Sequence, residues 1–291
     1  MAGIAETRHA LPHGIHLNCR HSGQPGNPVL LFLHGFPEGA FAWDELLDHF
    51  SQPQNGGYFC VAPNLRGFET SSAPTDPAAY RAKFLVQDIL ALIDIVSPGQ
   101  ALAALVAHDW GGAVAWNLAN QHPDRLHRLV IINSPHPGSF LRDLQSNPAQ
   151  QAASAYMNFL IRPDAAALLA ANDYERLWGF FTTMAHGPAP WLDEAMKARY
   201  RALWGHGLDG GLNYYRASPL RRLGPMTKQP VPSPCPMPCC ASMWPRWSFG
   251  VCKTRPCCRA YLMVWANTYP ICNCTPWTTP AIGWCMSNPL W

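Results

Sequence analysis

No aspartate, glutamate or histidine occurs between Gly210 and Trp291. Chemistry that needs a carboxylate or an imidazole therefore has to be assembled from the first 209 residues. Charge is scarce everywhere: 13% of the 291 residues are charged and the net charge is +3. With no clustered basic stripe, a nucleic-acid partner is not expected. No apolar run approaches the ~20 residues needed to cross a bilayer, so no membrane partner is expected. Met1 to Arg20 holds no apolar core of a secretory signal, which leads us to expect a cytoplasmic protein. Cysteine is nearly absent before Arg221, with Cys19 and Cys60 alone. The nine later cysteines include the adjacent pairs Cys239–Cys240 and Cys257–Cys258, which lack the spacer of a zinc site. A disulfide framework conflicts with a reducing compartment. We expect no metal and no cofactor.

The residues that are present divide the chain. Its length suits one large α/β domain with an insert, or two small domains. Pro28 to Leu33 is continuously apolar, as in a central strand buried on both faces. Gly14 to Arg20, Tyr58 to Ala62, Ala101 to His108 and Leu126 to Asn133 also read as strands. Between them, Phe41 to Phe50, Lys83 to Val96 and Ala113 to His122 carry helical spacing. Such alternation implies a mostly parallel sheet with helices on both faces. From Pro137 to Arg216 the pattern is helical without strands, as in a lid over the C-terminal ends of the strands. We therefore expect a core over 1–136, a lid over 137–216 and an aberrant tail over 217–291.

Val106-Ala107-His108-Asp109-Trp110-Gly111-Gly112 joins a strand to a helix through one polar residue with small neighbours, Ala107 and Gly111. That is the layout of a nucleophile elbow, with a carboxylate at its centre. Asp109 would attack carbon and form an ester. A plain capping aspartate fits the same residues. By alternation along the strand, His108 points to the other side of the sheet.

His34-Gly35-Phe36-Pro37, Pro63-Asn64-Leu65-Arg66-Gly67, His108-Asp109-Trp110-Gly111-Gly112 and Ser134-Pro135-His136-Pro137 stand in an order that resembles the α/β-hydrolase fold. Within it they resemble the soluble epoxide hydrolase and haloalkane dehalogenase group, over roughly residues 10–220. The resemblance implies that Asp109 is the nucleophile and that the backbone N–H groups of Phe36 and Trp110 form the oxyanion hole. It implies a cis peptide before Pro37 and a structural role for His34, Gly35 and Pro37 near the site. Asn64 and Ala107 depart from it, where the family usually has Asp and Gly.

The lid chooses the substrate. Ser154-Ala155-Tyr156-Met157 and Asn213-Tyr214-Tyr215-Arg216 resemble the segments whose tyrosines bind and protonate an epoxide oxygen. That points to Tyr156 and Tyr215, with a small apolar epoxide and water as partners; packing within the lid is the plain alternative. A haloalkane-type dehalogenase is the other enzyme reading. Trp110 fits halide binding, but Phe36 stands where an Asn donor is common. Phe159, Trp178, Phe180 and Phe181 suggest an apolar pocket, which helix packing would explain equally.

The family also needs a His to activate water and an acid to orient it, and residues 210–291 contain neither. Read one base out of frame, Phe249 to Thr254 permits Trp-Gly-Leu-Gln-Asp, and Trp277 to Gly283 permits Asp-Asp-Ala-Gly-His-Trp. Those are the family's acid and His contexts, so a frameshift near Arg221 or Arg222 is expected. On that reading the chain is impaired after one half-reaction, or is a non-catalytic, misfolded product whose sixth strand is a bare edge. An uninterrupted gene in this frame would count against it.

Overall fold

The computed structural model describes residues 3–182 and 189–220, and the backbone of a strand over 263–266. Seven strands form one sheet in the order β1-β2-β4-β3-β5-β6-β7. They are β1 (Ala5–Ala10), β2 (His16–Ser22), β3 (Val29–Leu33), β4 (Phe59–Pro63), β5 (Ala104–His108), β6 (Arg128–Ile132) and β7 (Met263–Ala266). The three central pairings, β4–β3, β3–β5 and β5–β6, are parallel. The β1–β2 and β2–β4 pairings are antiparallel.

Alternation explains why β3 is apolar at every position. Leu31 and Leu33 face one hydrophobic cluster with Val61, Leu105, Ala107, Leu129 and Ile131. Leu30 and Phe32 face the other, with Cys60, Ala62 and Ala104. Helices cover both sides. Helix α1 (Asp44–Ser51) puts Leu47 into the second cluster, and α2 (Ala82–Val96) puts Leu85, Ile89, Leu92 and Val96 into the first at i, i+3, i+4 spacing. Helix α3 (Asp109–Gln121) follows β5 directly.

Two strands differ from expectation. No strand is expected before Gly14, yet β1 pairs with β2 along its length. Its residues are almost all exposed, so no apolar alternation marks it; backbone pairing alone defines it. β6 is not a bare edge: β7 pairs with it antiparallel, Ile131 opposite Met263 through Arg128 opposite Ala266. The proposed frame windows lie outside the described residues.

Six helices follow β6: α4 (Pro137–Ser146), α5 (Pro148–Ala153), α6 (Tyr156–Leu160), α7 (Ala165–Thr182), α8 (Glu194–Gly205) and α9 (Asp209–Ala217). α7 is interrupted where Asn172, Asp173 and Tyr174 adopt left-handed backbone, φ 53°, 54° and 61°. L-residues pay a steric cost there, offset by the paired carboxylate and guanidinium of Asp173 and Arg201 and by the Trp178 indole N–H donating to the Asp173 carbonyl. No helix among the described residues is long and apolar enough to cross a membrane.

Candidate active site

Asp109 opens α3 with φ 49°, a left-handed backbone at a non-glycine residue. Asp109 is the first residue of the helix rather than its N-cap, which is His108 and makes no side-chain cap bond. The Asp109 Oδ1 accepts from Phe36 N at 2.8 Å across the site. The small residues are sterically required. A Cβ on Gly35 would lie 2.2 Å from Asp109 Oδ1, and one on Gly111 would lie 2.5 Å from the His34 carbonyl. The Phe36–Pro37 peptide is cis.

Burial raises the Asp109 carboxyl above its ordinary range. The charge of His108 and hydrogen bonds from the Phe36 and Trp110 amides oppose the rise without cancelling it. Both amides expected to form an oxyanion hole thus converge on this carboxylate.

His108 and Glu38 form a pair that sequence reasoning missed. His108 Nδ1 lies 3.1 Å from Glu38 Oε2, and the Tyr200 hydroxyl donates to Glu38 Oε1 at 3.5 Å. Burial would lower His108, but the Glu38 hydrogen bond and charge, with Asp109, raise it. Burial would raise Glu38, but His108 brings it below its usual range. Each partner thus favours the charged form of the other. The signal available in sequence was only Glu38 following His-Gly-Phe-Pro.

His34 is wholly buried and uses both ring nitrogens within the protein. Nδ1 donates to the Gly35 carbonyl at 2.9 Å and Nε2 accepts from Leu65 N at 3.1 Å, tying the loop after β3 to the loop after β4. Burial pushes its imidazole down to about 4, so it stays neutral. Asn64, where an Asp is usual, accepts from Ala40 N through Oδ1 and donates to the Glu69 carboxylate through Nδ2. An aspartate could not make that second bond.

Tyr156, on α6, and Tyr215, on α9, come together over this centre, their ring centroids 6.3 Å apart. Burial raises both phenols well above 10, and the charge of Asp109 raises them further. Among the described residues the Tyr215 hydroxyl is buried with no aligned hydrogen-bond partner, although the Tyr156 hydroxyl and Trp110 indole lie beside it. Of the four lid aromatics, Phe180 faces the site, against Phe36 and Tyr156. Trp178 and Phe181 instead pack on Tyr200 and Trp204 of α8, and Phe159 lies under Arg162 and Arg176.

A mostly parallel core, a carboxylate on a left-handed strand-to-helix turn and two converging backbone amides define an α/β hydrolase. Residues 28–231 match the family described as alpha/beta hydrolase fold, and the chain belongs to it. It is 38% identical to Epoxide hydrolase 3 of Xenopus tropicalis, over 60% of this chain and 46% of that protein, so it spans about half that relative's length. It is 34% identical to the AB hydrolase superfamily protein YfhM of Bacillus subtilis (strain 168), over 75% of this chain and 74% of that protein. Among solved structures, an inhibitor complex of Bacillus megaterium epoxide hydrolase aligns with a TM-score of 0.65 and 28% identity, covering 72% of this chain and 71% of that one.

Proposed function

We propose that this chain opens small apolar epoxides, with Asp109 as nucleophile and Tyr156 and Tyr215 as the acids, beneath a lid formed by residues 137–216. The reading is carried by the buried Tyr215 hydroxyl set beside the Tyr156 hydroxyl and the Trp110 indole, within the field of the Asp109 carboxylate. An Asp109 oxygen attacks an epoxide carbon and the ring C–O bond breaks. The alkoxide takes a tyrosine proton, and an alkyl ester remains on Asp109. Phenols held well above 10 stay protonated until that oxygen develops charge. The relatives named epoxide hydrolases support this class. The halide reading gains nothing from the geometry, since hydroxyls rather than a second N–H donor stand beside Trp110.

Release of the ester needs a base to activate water. His34 has both ring nitrogens engaged, and His108 turns its Nδ1 to Glu38, whose carboxylate strengthens its hold on a proton, so neither is set up as that base. With no histidine after His206, the ester is expected to accumulate. The test is intact-protein mass spectrometry after incubation with an aryl epoxide such as styrene oxide. One added epoxide mass per chain, mapped to Asp109, is the expected outcome. No adduct and no diol would sink the ring-opening reading; sustained diol formation would sink the half-reaction.

The rate of capture is also expected to depend on pH. Asp109 attacks only when ionised, and its proton is held above the ordinary carboxyl range. Capture should therefore fall away at a higher pH than an exposed aspartate would give. His108 opposes that rise, so His108→Gln is expected to move the acid limb further up. Adduct rates measured from about pH 4 to 8 check the sign; a limb that moves down contradicts it.

A further inference from the structure

We propose that Tyr214 is a positioning residue that fixes Tyr215 to the core, independently of the rest of the lid. This rests on the ring-opening reading above. Adjacent helical residues point about 100° apart, so α9 turns its two tyrosines to different neighbours, with the Trp110 ring shared between them. Tyr215 packs against Phe36, Trp110 and Tyr156. Tyr214, 1% exposed, turns to the loop after β4 and donates its hydroxyl to the Arg66 carbonyl at 2.9 Å.

That carbonyl belongs to an anchored residue. Arg66 Nε and Nη2 pair with both oxygens of Asp88 on α2 at 2.7 and 2.6 Å, and Nη1 donates to the Ala79 carbonyl at 2.7 Å. A second contact clamps the same two segments. Gly67, at φ 89°, and Gly210 approach backbone to backbone; a Cβ on Gly210 would lie 2.1 Å from the Gly67 carbonyl oxygen. Tyr80 and Phe68 close around the Tyr214 ring, each with centroids 5.6 Å away. Helix α9 is thus seated on the core at its first turn by Gly210 and one turn later by Tyr214. Tyr156 is carried by α6, which packs on α7 and α9. The hydroxyl that receives the developing charge is thereby held at a set distance from Asp109 by the sheet-side loop.

The test is a double-mutant cycle on single-turnover capture of styrene oxide by the full chain. Tyr215→Phe is expected to slow capture at saturating epoxide by about 100-fold, and Tyr214→Phe by about 10-fold, with little change in the half-saturating concentration. If Tyr214 acts through Tyr215, the double variant is no slower than Tyr215→Phe alone. A merely structural role would slow both backgrounds by the same factor, and that result overturns the proposal. Gly210→Ala loosens the same seat with the Tyr214 hydroxyl intact, and should show the same loss of effect in the Tyr215→Phe background. A readout without chemistry separates the two readings. In protein labelled with 3-fluorotyrosine, the Tyr215 resonance, assigned by its loss in Tyr215→Phe, is expected to shift or broaden in Tyr214→Phe. An unmoved resonance overturns the positioning role. A wild-type chain that forms no adduct overturns only the ring-opening reading, and the resonance still decides the role of Tyr214.

Discussion

Asp109→Ala is expected to end covalent capture, lowering the rate of adduct formation by at least about 1,000-fold. In the proposed reaction the carboxylate oxygen is the atom that bonds to the epoxide, and alanine has no counterpart. Other carboxylates do not stand in for it: Glu38 is engaged by His108 and Tyr200. The effect is not one of folding. The Asp109 side chain is held by two amides that in its absence still belong to anchored loops, through His34 on one side and α3 on the other. A buried carboxyl whose folded affinity for protons is raised also costs stability once ionised, because neutral pH favours the unfolded form in which it ionises freely. Mass spectrometry and thermal unfolding of the same sample separate lost capture from lost fold. An adduct of undiminished yield in Asp109→Ala would place the nucleophile elsewhere.

Asp88→Ala is expected to cost about 3–5 kcal/mol, because it leaves the Arg66 guanidinium buried and unpaired. Both residues are nearly inaccessible, at 2% and 4% exposure. The two bonds between them join α2 to the loop that carries Gly67 and receives Tyr214. His13 Nε2 also meets Asp88 Oδ1 at 2.6 Å, so the loss extends to the loop before β2. In a domain of this size that energy corresponds to a fall in Tm of roughly 6–20 °C. Asp88→Asn keeps one acceptor for Arg66 and should lose less. Calorimetry decides it; a Tm within a degree or two of wild type would show that the pair contributes nothing net.

Much of this was legible in the chain, because period and punctuation are local. Leu30 to Leu33 alternate between two clusters, so a strand buried on both faces reads as an unbroken apolar run. Ala107, Gly111 and Gly35 are small where contact leaves no room, so the turn at Asp109 reads in the motif itself. Tyr156 and Tyr215 were placed by resemblance, and the fold brings them together. β1 was not legible, because an exposed edge strand held by backbone bonds has no side-chain pattern. Nor was Glu38, 70 residues from His108 in sequence, or Asp88, a carboxylate on the otherwise apolar buried face of α2.

The sequence by itself determined the order of β2 to β6 and of the helices between them, the elbow with Asp109 at its centre, and the absence of any imidazole or carboxylate side chain after Asp209. These follow from side-chain volume, polarity and spacing, which act over a few residues. Tertiary structure alone decided the proton affinities around Asp109 and the contact of α9 with the loop after β4. Desolvation, the His108–Glu38 pair and the meeting of Gly67 with Gly210 arise only when distant segments exclude water from one another.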